Sequence, residues 1–92
     1  MEPIRRHAIV RGLVQGVGFR FAARDEASRA GLTGWVRNLD DGTVEAEVQG
    51  APDAVGRMLE WLGHGPPGAQ VEGLDARECG PVAADHAFRI ER

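Results

Sequence analysis

Apolar positions along the chain follow a two-residue period in some stretches and a helical period in others, and the changeovers mark the elements. Residues 7–14 carry Ile9, Val10 and Val14 in a β-branched run that predicts a buried strand. Phe19, Ala22, Ala23, Ala27 and Ala30 then recur at helical spacing, while Arg20, Arg24, Asp25 and Arg29 fall elsewhere on the wheel. That pattern predicts an amphipathic helix, with Gly31 placed as its C-cap. Asp25 and Arg29 stand at i and i+4, which adds slight support. Residues 33–38 read as a short strand, and Asp41-Gly42 as a hairpin turn. Beyond the turn, Val44, Ala46 and Val48 alternate with Thr43, Glu45, Glu47 and Gln49, as in a half-buried antiparallel strand. Pro52 suits the first turn of a second helix with the stripe Val55, Met58, Leu59 and Leu62; Gly63, Gly65, Pro66 and Pro67 end it. Residues 71–76 predict a strand with poor alternation. Phe88 and Ile90, alternating with Arg89 and Glu91, predict a short last one.

The order β-α-β-β-α-β plus a terminal strand predicts an α+β fold. It is the ferredoxin-like split βαβ plan, with two helices on one face of an antiparallel sheet. At 92 residues, with no repeat or linker, a single domain over 1–92 is expected.

Charge narrows the function classes. The formal net charge is -3, which argues against a general nucleic-acid backbone binder. All 11 basic residues are arginine. Lysine nucleophiles and Schiff bases are thereby excluded, leaving planar guanidinium groups suited to phosphate. The single cysteine, Cys79, excludes an internal disulfide and fits a reducing compartment. No apolar stretch follows Met1-Glu2-Pro3-Ile4-Arg5-Arg6 as a signal peptide or membrane span would require. A cytoplasmic location without membrane association is expected.

The segment Val14-Gln15-Gly16-Val17-Gly18-Phe19-Arg20 lies between a strand and the start of a helix. Two close glycines permit backbone conformations that a Cβ forbids, so successive N–H groups can turn inward around an anion. The helix start adds unpaired donors and partial positive charge. Arg20 can fork onto two phosphate oxygens. The candidate phosphate-binding residues are therefore Gln15, Gly16, Val17, Gly18, Phe19 and Arg20. Other phosphate loops do not fit. A Walker A loop needs lysine, a dinucleotide fingerprint needs glycine where Phe21 stands, and a cysteine phosphatase needs a thiolate where Gln15 stands. Gly18-Phe19-Arg20-Phe21 resembles an aromatic RNA-binding motif, but that motif lies on a strand and this one opens a helix. In the second informative segment, Gly34-Trp35-Val36-Arg37-Asn38-Leu39, Asn38 falls where a strand runs into a turn. On the residues alone its amide is read first as a turn residue, with orienting a water as the functional alternative.

Both segments resemble the two signature motifs of the acylphosphatases. The resemblance extends to Asp41-Gly42-Thr43-Val44-Glu45, to Gly65-Pro66 before Val71 and to Phe88-Arg89-Ile90, nearly the whole chain. It implies hydrolysis of a carboxyl-phosphate anhydride to carboxylate and orthophosphate. It implies Arg20 and Asn38 as catalytic residues, Arg20 binding the phosphate with the loop amides and Asn38 positioning the attacking water. The tail departs from the family pattern, with Glu91-Arg92 in place of an aromatic. No cofactor and no metal are expected, because a carboxylate leaves without a general acid and phosphoryl transfer asks mainly for positioning and charge.

Other residues are expected to be structural. His7, His64 and His86 lack metal-ligand spacing, Cys79 is expected to be inert, and Trp35 and Trp61 to pack. Glu45 and Glu47 read as a solvated strand face without charge partners, and Arg5 and Arg6 as solvated terminal charges. A free-standing monomeric enzyme acting on small acyl phosphates is the leading expectation, though the sequence offers no acyl pocket. The alternative is a non-catalytic phosphate or carbamoyl-phosphate module of the same fold, since related domains occur inside larger maturation proteins.

Overall fold

The computed structural model describes residues 2–92. Seven elements follow one another: β1 (Ile4–Leu13), α1 (Phe19–Arg29), β2 (Thr33–Asn38), β3 (Val44–Gly50), α2 (Pro52–Leu62), β4 (Gln70–Cys79) and β5 (Phe88–Ile90). The strands form one sheet in the order β4-β1-β3-β2-β5. Both helices pack on one face, as the sequence predicts.

Residues of even number on β1, β2 and β3 face the helices. Ala8, Val10, Val36, Val44, Ala46 and Val48 meet Phe19, Ala23 and Ala27 of α1 and Val55, Met58 and Leu62 of α2 in one core. The period-two pattern on the strands and the helical stripes thus bury each other, which is the main term holding such a domain together.

Three sequence expectations change. The sheet is mixed rather than wholly antiparallel: β5 runs parallel to β2, with Gly34 opposite Phe88 and Val36 opposite Ile90. The β4–β5 connection reaches that far edge by crossing the helix-free face. β4 extends well beyond residues 71–76, and most of its side chains are exposed. An edge strand needs no apolar alternation, so its sequence pattern was weak. β1 likewise begins at Ile4, which brings Arg5 inside the sheet.

Arg5 is only 2% exposed. Its guanidinium donates to Glu47 at 2.6 Å, to Gln49 at 3.0 Å and to Asp85 at 2.9 Å. Gln49 in turn exchanges hydrogen bonds with the backbone of Val82, at 3.0 Å and 2.7 Å. Together they pin the β4–β5 connection over the sheet. Arg5 is therefore a buried anchor and not a solvated terminal charge. Glu47 has Arg5 as its partner. Glu45 lies between His7 at 2.7 Å and Arg37 at 2.6 Å. The acidic pair on β3 is thus engaged with cations rather than solvated alone. Burial pushes the Glu45 and Asp85 carboxyls up, but hydrogen bonds from His7 and Arg37, and from Arg5 and Arg89, outweigh it. Both groups sit below the usual carboxylate range.

Candidate active site

The loop between β1 and α1 turns on two glycines in the left-handed region, Gly16 and Gly18, each at φ 77°. No side chain caps α1; Gly18 occupies the cap position. The first backbone bond of the helix runs from the Ala22 N–H to the Gly18 carbonyl at 3.0 Å. The N–H groups of Phe19, Arg20 and Phe21 therefore have no carbonyl of their own helix to bond.

Phe19 fixes this helix start. Its side chain is buried, its ring centroid lies 5.5 Å from that of Trp61, and Gly65 closes against it. A Cβ on Gly65 would lie 2.8 Å from the Phe19 ring, so glycine is required there. The turn after α2 and the start of α1 are thereby held in register.

A concavity of about 210 Å³ opens at this point, lined by Val14, Gly16, Gly18, Phe19, Arg20, Phe21 and Asn38. Arg20 is partly buried, and among the described residues it makes no ion pair, whereas Arg5, Arg37 and Arg89 are all paired with carboxylates. Asn38 ends β2 opposite Val44. Its Oδ1 is buried and has no hydrogen-bond partner among the described residues. A buried acceptor left unpaired costs about 1–3 kcal/mol, so this atom calls for a donor from whatever fills the concavity, water included. Of the candidate residues, Gly16, Gly18, Phe19, Arg20 and Asn38 come together here.

Gln15 and Val17 are not among the lining residues. Val17 packs against the core. The Gln15 side chain turns to the β2–β3 hairpin, where Nε2 donates to the Leu39 carbonyl at 2.7 Å and the Thr43 carbonyl at 2.9 Å. It ties the loop to the residue following Asn38. The hairpin is closed further by the Leu39 N–H on the Thr43 carbonyl at 2.9 Å, and by Asp41 accepting from the Thr43 N–H and hydroxyl. Those donors hold the Asp41 carboxyl below its usual range.

Phe21 lines the concavity too, although sequence reasoning weighed it only against other motifs and gave it no place in the site. The available signal was an aromatic on the helix position opposite the buried stripe. Elsewhere, burial pushes the Cys79 thiol up, away from the reactive thiolate form. Among the described residues, no group of three His, Cys, Asp or Glu side chains is placed to hold a metal ion. No helix among the described residues is long and apolar enough to cross a membrane.

Comparison with known proteins identifies the family. The family model described as Acylphosphatase matches residues 6–90. A Methylococcus capsulatus protein named acylphosphatase is 53% identical over 88 residues, 96% of this chain and 96% of its own. A Bordetella parapertussis acylphosphatase is 63% identical over 68 residues, 74% of this chain and 72% of its own. The crystal structure of acylphosphatase from Bacillus subtilis superposes with a TM-score of 0.92 at 36% identity, covering 97% of this chain and 99% of that one. The chain belongs to the acylphosphatase family.

Proposed function

We propose that the protein hydrolyses the carboxyl-phosphate bond of acyl phosphates at this concavity, releasing carboxylate and orthophosphate. The phosphoryl oxygens are received by the N–H groups of the Gly16–Gly18 turn and the helix start, with Arg20 forked across two of them. Water held by the Asn38 amide attacks phosphorus. The bond from phosphorus to the bridging oxygen breaks, and its electrons leave with the carboxylate, a good leaving group with a conjugate pKa of about 4. The lining residues include no carboxylate or imidazole. The proton of the attacking water therefore passes to a phosphoryl oxygen of the substrate itself.

The observation that carries this reading is the buried, unpartnered Oδ1 of Asn38 in the same concavity as the unpaired Arg20. A water donating to that oxygen satisfies it and is held in place for attack. The test follows the loss of benzoyl phosphate absorbance, with and without chelator, alongside inhibition by inorganic phosphate. Chelator-insensitive turnover is expected. Asn38→Ala is expected to lower kcat by about a hundredfold, the order associated with misplacing a reactant, while phosphate still inhibits. Loss of phosphate inhibition in that variant contradicts a water-positioning role. Phosphate binding without turnover in the unmodified protein would favour a non-catalytic module instead.

Gln15 acts in this scheme by holding the loop to the hairpin that carries Asn38. Gln15→Ala removes two hydrogen bonds, each worth about 1 kcal/mol. Thermal unfolding is expected to shift down accordingly, and kcat to fall more than phosphate affinity. An unchanged kcat in a variant with a lowered midpoint reduces Gln15 to a purely structural tie.

A further inference from the structure

α1 buries Phe19, Ala23 and Ala27. Phe21 lies on the opposite side of the helix, and it is 53% exposed. A phenyl ring there gains nothing from the core, and any polar residue would serve the helix as well. Single exposed apolar side chains are ordinary on protein surfaces, so exposure alone identifies no site. The position of the ring is what matters. Its centroid lies 5.9 Å from the Arg20 guanidinium carbon and 5.5 Å from that of Arg24. Both guanidinium groups lie within cation–π range of the ring, and the ring itself lines the concavity. Leu13 and Val82 are the other large exposed apolar side chains among the described residues, and neither lines that concavity.

We propose that Phe21 is the platform for the acyl half of the substrate. The inference rests on the phosphate reading above. With the phosphoryl group against the loop amides and Arg20, the bridging oxygen and the acyl group project outward past the first turn of α1. The ring of Phe21 is the apolar surface they meet. It favours acyl phosphates whose carboxyl carries an aromatic ring or an extended apolar chain. An acetyl group is too small to cover the ring. The phosphate contacts fix the reacting atoms in every substrate; Phe21 ranks the substrates among themselves.

The experiment compares kcat/KM for benzoyl phosphate and acetyl phosphate in the unmodified protein, Phe21→Ala and Phe21→Leu. Differences in intrinsic reactivity cancel when the benzoyl-to-acetyl ratio of each variant is divided by that of the unmodified protein. The ratio is expected to fall about tenfold in Phe21→Ala, the scale of one aromatic contact, and by less in Phe21→Leu, which keeps apolar surface. An unchanged ratio overturns the platform, and so does an equal loss on both substrates. Inorganic phosphate has no acyl group, so its inhibition reports on the loop and Arg20 separately. Absence of that inhibition in the unmodified protein overturns the phosphate reading, and the platform with it.

Discussion

Arg20→Ala is expected to lower the rate of acyl phosphate hydrolysis by at least about a hundredfold, with little change in stability. The rate loss follows from where the charge sits. Arg20 is the one guanidinium lining the concavity, and no carboxylate among the described residues neutralises it. Removing a single preorganised donor to a developing anion costs about 10²–10³ in turnover, and a cation is worth more than a neutral donor. The fold should tolerate the change, because among the described residues Arg20 makes no side-chain hydrogen bond and no ion pair, and its guanidinium lies 5.9 Å from the Phe21 ring centroid. Loss of a cation–π contact at so exposed a ring costs about 0.5–1 kcal/mol. Arg20→Lys should recover only part of the rate, since an ammonium is a point charge that does not fork over two oxygens. Steady-state kinetics on benzoyl phosphate together with a thermal melt check both halves. A rate near that of the unmodified protein in Arg20→Ala removes the arginine from the mechanism.

The second large effect is on stability. Asp85→Ala deletes a carboxylate whose side chain is 3% exposed and leaves the equally buried Arg5 without that partner. Breaking a buried pair by removing one member costs about 3–5 kcal/mol. Glu47 and Gln49 still accept from Arg5, which places this case toward the lower end of that range. Asp85 in this network and Glu45, held by His7 and Arg37 on the neighbouring strands, set the pH response. Asp85 and Glu45 have folded-state pKa values below those of the unfolded chain. Their contribution is present above the unfolded value of about 4 and is lost as pH falls through the lower folded values. Urea midpoints are therefore expected to be flat with respect to these groups above about pH 5 and to decline below about pH 4. Asp85→Ala should be weaker throughout and decline less steeply. A midpoint that does not move on Asp85→Ala contradicts the anchoring role.

Local periodicity made most of the architecture readable in advance. The alternation of Val44, Ala46 and Val48, the stripes of α1 and α2, and the Asp41-Gly42 turn are short-range signals, and each marks an element that the fold contains. What stayed hidden depends on distant pairing. Arg5 meets Asp85 across 80 residues and Gln49 across 44, so its burial leaves no mark on its neighbours in sequence. The parallel docking of β5 has the same origin, since three residues carry too little pattern to choose a partner strand. At the site, the Gly16–Gly18 turn and Arg20 are adjacent along the chain and were legible together. Asn38 was ambiguous from the residues alone, because an amide that closes a turn and one that holds a water look the same in sequence; the burial of its unpartnered Oδ1 is what the proposed role rests on. The destination of the Gln15 side chain was not legible, since its acceptors lie 24 and 28 residues further on.

The two borders of the sheet are unequal: three residues of β5 on one side and ten of β4 on the other. A ten-residue border is a template for fibre growth, because its open backbone groups invite another strand. Along β4 the chain places Glu72, Asp75, Arg77 and Glu78, all exposed. An incoming strand would have to strip water from these charges and meet like ones. Replacing them with threonine or valine would leave every contact of the core and the concavity in place and still turn this border into a seed for amyloid-like stacking.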